Sequence, residues 1–334
     1  MKAVILKVLL RIIGTTVVLG TVGYVAFQVS PWPAALLIRI PFDKQAITLN
    51  RALEKHVPEG VTARLNEHYD ATAGDVHLDV FYPSEIENTG KALLTVVWVH
   101  GGGWISGSKD YINSYLKILA GRGYTAVGVG YSIAPGHTYP TPVRQVNAAL
   151  DYLAKNAQRL HVNPSIFVLA GDSAGAHIAA QVANVVTVPS YAKEMGIVPT
   201  IERPQLRGVI LYCGAYDLKQ ARLDGPFGSF LKTVLWSYSG EKNFTNDPRF
   251  ATAAVINYVT PEFPPAFISA GNSDPLLPQS RAFAEVLAGR GVYVERLFFP
   301  NDYKPTLPHE YQFDLDTDAG KLALERSVEF LSTR

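Results

Sequence analysis

Six short apolar runs, separated by segments long enough to form helices, set the strongest limit on what this chain can fold into. They are LLTVVWVH (93–100), YTAVGVGYS (124–132), SIFVLAGDS (165–173), GVILYCG (208–214), PAFISAGNSD (265–274) and VYVERLFF (292–299). Unbroken apolar stretches of strand length call for burial on both faces, which implies a mostly parallel sheet covered by helices on each side. Between the runs, YINSYLKILAGRG and PVRQVNAALDYLAKNAQRL (142–160) carry apolar residues at helical spacing, the first ending at glycine. Upstream, VHLDVFYP (76–83) alternates as a half-exposed strand does, and the first strand pair can be antiparallel. The expected fold class is α/β.

The bulk properties agree. With 334 residues, 48% hydrophobic and 18% charged, the chain can bury a sizeable core. Its formal net charge is +1 and no basic block follows the first eleven residues, which argues against a nucleic-acid partner. Cys213 is the only cysteine, so no intrachain disulfide can form, and its setting in GVILYCG reads as a small core residue.

The amino terminus differs in kind. Lys2, Lys7 and Arg11 precede residues 12–29, IIGTTVVLGTVGYVAFQV, which contain no charge. As a helix, this run spans about 27 Å, close to the hydrocarbon core of a bilayer. Trp32 follows at the place of an interfacial aromatic, and the positive charges favour a cytoplasmic amino terminus. A membrane anchor is the leading reading. A cleaved signal peptide is the alternative, although Thr21 and Gly23 before Tyr24 make a poor cleavage site. Either reading puts the folded domain outside the cytoplasm.

The chain therefore divides into an anchor or signal segment (1–30), a juxtamembrane or N-terminal cap region (31–70) and one large domain (71–334). Within the last, residues 218–262 interrupt the alternation. That stretch is long and rich in aromatics, among them Phe227, Phe230, Trp236, Tyr238 and Phe244, and is expected to form a lid with an apolar underside.

Residues 171–175, Gly-Asp-Ser-Ala-Gly, follow a predicted strand and open a predicted helix. In a strand–turn–helix elbow, the flanking glycines permit a tight turn that pushes the Ser173 oxygen out above the sheet. A serine hydroxyl needs a base to be nucleophilic. Of eight histidines, only His177 and His309 follow Ser173. His177 lies in the elbow helix itself and reads as a buried hydrogen-bonding residue, which leaves His309 as base. The base needs a carboxylate to hold its tautomer. Asp274, directly after a buried strand, leads over Asp217 and Asp302, while Asp172 reads as a local turn residue. His100-Gly-Gly-Gly-Trp104 ends the 93–100 strand in bare backbone, well suited to donate N–H groups to an oxyanion together with that of Ala174. A side chain at Gly102 would then lower rate far more than stability. The glycines lack the Lys-Ser/Thr ending of a phosphate loop, and the histidines lack metal-site spacing, so no cofactor or metal is called for.

Taken together and in this order, HGGGW, GDSAGAH, DPLL and a late histidine resemble the α/β-hydrolase superfamily. The likeness is greatest to hormone-sensitive-lipase-like carboxylesterases and related acetyl and feruloyl esterases, and it spans residues 75–333. Kynurenine formamidases and isoprenylcysteine methylesterases share similar elements. The resemblance implies Ser173 as nucleophile, His309 as base, Asp274 as acid and the N–H groups of Gly102, Gly103 and Ala174 as oxyanion hole. It also implies that His100 braces the glycine loop and that Trp104 contributes to the substrate pocket. Two departures stand out. Pro278 and Gln279 occupy the place of a second aspartate after the D-P-L turn, and Glu310-Tyr311 replace the Gly-Phe that often follows the histidine.

The expected activity is hydrolysis of small to medium acyl esters through an acyl-enzyme, with deacetylation of glycans or aryl formamide cleavage as alternatives on the same machinery. A non-catalytic receptor or scaffold on the same fold is the reading from a different class.

Overall fold

The computed structural model describes residues 2–70, 76–218, 223–225 and 228–334. Its sheet has eight strands: β1 (Val61–Asp70), β2 (Val76–Pro83), β3 (Leu93–Val99), β4 (Thr125–Val129), β5 (Val162–Asp172), β6 (Leu206–Tyr212), β7 (Ala266–Ala270) and β8 (Val294–Phe298). They lie in the order β1-β2-β4-β3-β5-β6-β7-β8. β2 pairs antiparallel with β1 and β4, and all other pairings are parallel. Mostly parallel and covered on both sides, the sheet is the architecture that the apolar runs require.

Period-two side-chain geometry divides the core between the two faces. Val97, Val99, Val127, Leu169, Val209 and Ile268 face helices α4 (Thr141–Lys155), α5 (Ala174–Thr187) and α8 (Leu277–Gly289). Their sequence neighbours Val96, Trp98, Ala126, Val168, Ile210 and Phe267 face α3 (Asn113–Gly121) and α9 (Asp318–Ser332). A short α6 (Pro189–Met195) follows α5.

Two elements differ from the sequence expectation. β2 is mostly buried rather than half-exposed, because its two faces enter the two core clusters, Leu78, Val80 and Tyr82 on one side and Phe81 on the other. Its buried Asp79 is compensated by Lys109 Nζ at 2.8 Å, and also accepts from Asn113 Nδ2 and the backbone N–H of Asn66. The 218–262 stretch carries its own structure, α7 (Gly228–Ser239) and several short 3-10 turns. Tyr238, Phe244 and Phe250 join the core cluster beneath α5 instead of standing over a cleft. Phe227 lies outside the described residues.

At the amino terminus, α1 (Lys2–Val29) contains a 26-residue run, Val4–Val29, long and apolar enough to cross a membrane and with none of it buried. The chain turns at Ser30-Pro31 into α2 (Trp32–Leu53). That helix is fixed to the domain by polar bonds: Arg39 donates to the carbonyls of Ile105 and Ala134 at 2.6 and 2.9 Å, and Asp43 accepts from Gly107 N–H at 2.9 Å. Farther along, Asn50 accepts from Ser114 N–H at 2.9 Å.

Candidate active site

The site grows from the end of β5. Ser173 sits between β5 and α5 with φ 52° and ψ −117°, a left-handed conformation that a non-glycine residue adopts only when its surroundings hold it there. Those surroundings are backbone. A methyl on Gly171 would meet the carbonyl carbon of Gly175 at 2.6 Å, and one on Gly175 would run into the carbonyl oxygen of Val99. The two glycines therefore let the elbow close against itself and against the end of β3.

The loop after β8 brings His309 over the serine. His309 Nε2 lies 3.0 Å from Ser173 Oγ, and Nδ1 lies 2.9 Å from Asp274 Oδ2. The other oxygen of Asp274 accepts from Leu276 N–H at 2.7 Å, so the carboxylate is oriented from both sides. The structure brings Ser173, His309 and Asp274 together, and leaves the rival aspartates elsewhere. Asp217 follows β6, where Gln279 clamps the turn: its Oε1 accepts from the N–H groups of Tyr216 and Asp217 at 2.8 and 2.7 Å. The glutamine in the place of a second aspartate thus braces the neighbouring loop. Asp302 is exposed.

Burial disfavours the imidazolium of His309, but Cys213, Asp274 and Glu310 beside it outweigh that effect and raise its pKa well above the ordinary histidine value. Burial pushes the Cys213 thiol up to about 12, so at neutral pH the thiol is uncharged. Cys213 is a core residue, as its apolar setting suggests, yet it also packs against the triad imidazole. Among the described residues, Cys213, Asp274 and His309 are the one grouping of metal-type ligands, and a metal there would take the imidazole nitrogens that join Ser173 to Asp274.

The glycine loop after β3 lies beside the elbow. Gly102 and Gly103 have φ 111° and 59°, and no described residue accepts from their N–H groups or from that of Ala174. A side chain at Gly102 would strike the backbone of Ser106, whose N–H and Oγ both bond the Gly102 carbonyl at 3.0 and 2.7 Å. This corrects the sequence reading: substitution there strains the loop itself, so rate and stability fall together. His100 is buried, bonds the Gly101 carbonyl at 2.8 Å and stacks on Tyr131 at 4.2 Å; burial lowers its pKa to about 4, so it braces the loop as a neutral ring. His177 is likewise neutral, with a pKa lowered by burial to about 4, and bonds the Ala253 carbonyl at 2.8 Å.

Trp104 does not line the cavity. It is buried between Tyr238, stacked at 4.8 Å, and His177, edge-on at 5.2 Å, and supports the loop from behind. The cavity over Ser173, about 130 Å³, is walled instead by Phe42, Ala46, Leu49 and Leu53 of α2 and by Ile112 and Phe313. None of the described residues of 218–262 is part of that lining, and Tyr238 among them buttresses the glycine loop. The apolar cover expected from them comes from α2.

Two further site residues escape a sequence reading. Asp172 is not a local turn residue: it is buried, accepts from Trp98 Nε1 at 2.7 Å and is hydrogen-bonded to Glu310. Burial first, and the Glu310 charge second, raise its pKa well above its ordinary value. Glu310 Oε1 in turn lies 3.8 Å from His309 Nε2. The signal for this pair is the glutamate standing where a glycine often follows the histidine. For α2, the sequence signal is an apolar stripe too broad to assign to one face.

An eight-stranded, mostly parallel sheet with a serine elbow after β5 and a histidine after the last strand defines the α/β-hydrolase fold. Solved structures with the same architecture include an inhibited esterase B from Lactobacillus rhamnosis (TM-score 0.75, 23% identity, covering 90% of this chain and 97% of that one). The hyperthermophilic esterase of Pyrobaculum calidifontis is also similar (TM-score 0.70, 22% identity, 90% and 93%), as is a fungal esterase from Rhizomucor miehei (TM-score 0.69, 23%, 90% and 90%). The BD-FAE family model matches residues 78–287, well over half of the chain. The protein belongs to the BD-FAE family within the α/β-hydrolase fold.

Proposed function

We propose that the protein is a serine carboxylic-ester hydrolase acting on esters of small to medium acyl groups. The observation that carries this reading is the unbroken hydrogen-bonded series from Ser173 Oγ through the His309 ring to Asp274, 3.0 and 2.9 Å long, beside a loop with free N–H groups. Ser173 Oγ attacks the ester carbonyl while His309 Nε2 takes its proton. Asp274 holds the imidazole in the required tautomer and stabilises the imidazolium. The N–H groups of Gly102, Gly103 and Ala174 receive the oxyanion, each such donor being worth about 100- to 1,000-fold in rate. His309 returns the proton to the departing alcohol, leaving acyl-Ser173. Water, deprotonated by His309, then releases the acid and restores the hydroxyl.

The apolar cavity wall supports an acyl or alkyl group as the bound moiety, in preference to an acetylated glycan. The esterase B relative was also crystallised with a C4–C4 tributyrin phosphonate inhibitor, in keeping with short acyl chains in this fold. α1 supports attachment to a membrane, and Lys2, Lys7 and Arg11 favour a cytoplasmic amino terminus with the catalytic domain on the far side. The test is covalent. A fluorophosphonate is expected to add once, on the peptide containing Ser173, and to fail on Ser173→Ala. A folded parent protein that resists the probe, or that is labelled elsewhere, contradicts the proposal.

A further inference from the structure

Helix α2 has two exposed halves of opposite character. Over its first turns, the solvent side carries Trp32, Leu36, Leu37 and Ile40, which are 44, 45, 63 and 68% exposed. Beyond them, the same side becomes Lys44, Thr48 and Arg51, also exposed. Trp32 to Ile40 covers about 12 Å of helix, long enough to lay an apolar face along the headgroup–acyl boundary. The apolar stripe begins three residues after α1 ends, so it continues the apolar surface of a helix long enough to span a bilayer. At the same junction, Lys242 Nζ donates to the Gln28 carbonyl at 2.6 Å and lies 5.1 Å over the Trp236 ring. Tryptophan and lysine at the end of a span are the residues that settle at a membrane–water boundary.

The other side of α2 is held to the domain by Arg39 and Asp43, so the stripe cannot rotate away from its outward position. Phe42, two residues past Ile40, already lines the cavity over Ser173, followed by Ala46, Leu49 and Leu53. One rigid helix thus joins an outward apolar stripe to the wall of the site.

We propose that the Trp32–Ile40 face of α2 is immersed in the surface of the bilayer that α1 spans, and that the site draws esters residing in that bilayer. The substrate half of this inference rests on the esterase reading, whereas the docking half does not. A soluble ester would reach Ser173 without the stripe, but a membrane-dissolved ester needs the cavity wall held at the lipid boundary. Burying the stripe also removes from water a surface that no described residue covers.

The test uses the full chain reconstituted in phosphatidylcholine vesicles and two esters that share one acyl group. Ethyl butyrate stays in water, and hexadecyl butyrate stays in the bilayer. The double variant Leu37→Glu/Ile40→Glu should keep ethyl butyrate hydrolysis within about twofold of the parent and lose roughly tenfold on hexadecyl butyrate, because two carboxylates resist the interface. Unchanged hydrolysis of hexadecyl butyrate overturns the proposal. Depth is read independently of turnover by an environment-sensitive fluorophore on Leu37→Cys, since Cys213 is buried. Its emission should shift to the blue and be quenched by nitroxide-bearing lipids, while the same label on Thr48→Cys stays water-like. A water-like label at position 37 overturns the docking. So does a label that lipid quenchers cannot reach and that cross-links two copies, which assigns the face to a dimer. If neither ester is cleaved and Ser173 resists the fluorophosphonate, the esterase reading fails and the delivery claim with it. The depth measurement then decides the docking alone.

Discussion

The carboxyl edge of the sheet and the α1–α2 segment are built by different rules. At the sheet edge, β3, β5 and β7 each end in a short loop, and the loop after β8 closes the set. Chain residues far apart are brought to one place by parallel topology. Glycine loop, Ser173, Asp274 and His309 all arrive this way, and the first three are locked by backbone: Ser106 against Gly102, Val99 against Gly175, Leu276 against Asp274. The α1–α2 segment has no strand to register it. It is attached by side chains, chiefly Arg39, Asp43 and Asn50, and supplies surface rather than reactive groups. The first region should therefore tolerate no change without loss of chemistry, and the second should change which ester is accepted while leaving the chemistry intact.

The largest effect should come from Ser173→Ala, which removes the nucleophile and is expected to lower kcat by roughly 10⁴- to 10⁶-fold with the thermal midpoint nearly unchanged. Stopped assays alongside a melting curve check both halves. Next, Asp274→Asn should cost about 10⁴-fold, since the amide cannot hold the required tautomer of His309. Gly102→Ala is predicted to lower kcat/KM by about 100- to 1,000-fold and to lower Tm as well, because the new methyl meets the Ser106 backbone. A loss of rate with unchanged Tm would show that the loop yields more readily than its geometry implies.

On the other side of the comparison, Ala46→Phe fills cavity space from α2. It should reduce hydrolysis of hexanoyl esters about tenfold while sparing acetyl esters, since only the longer chain competes with the new ring for room. An equal loss on both would place α2 in the chemistry and erase the distinction between the two regions.

The smallest effect concerns pH. His309 must be neutral to accept the Ser173 proton, and its pKa lies above the ordinary value because Cys213, Asp274 and Glu310 beside it outweigh burial. Activity should therefore rise with pH through a pKa above the usual histidine range. Glu310→Gln removes one of those charges, so the acid limb of kcat/KM should move to lower pH, with less than about tenfold change on the plateau. A limb that stays in place would mean that Glu310 does not act on His309.

How much could be read beforehand follows the same division. Ser173 announces itself through glycines at positions that only a sharp turn requires, and His309 emerges because so few histidines follow it. The choice of Asp274 over Asp217 depends on which strand end faces the histidine. Strand order supplies that information, and spacing alone leaves the rivals in play. β1 went unread because VTARLNEHYD has little apolar content, its strand character coming from pairing with β2. In the expected lid at 218–262, Tyr238 turned inward because it finds partners in Trp104 and His177, and a sequence does not say which side of an aromatic segment is inward. Asp172 and Glu310 meet only in three dimensions, and a hydrogen bond between two acids far apart in the chain leaves no periodic trace.

The central claim is that ester cleavage proceeds through acylated Ser173, and acid-quench mass spectrometry during turnover of p-nitrophenyl butyrate tests it most directly. The account predicts a rapid burst of p-nitrophenol with a butyryl group on the peptide containing Ser173, absent in Ser173→Ala. Steady turnover with no butyryl adduct, or an adduct on another residue, would contradict it.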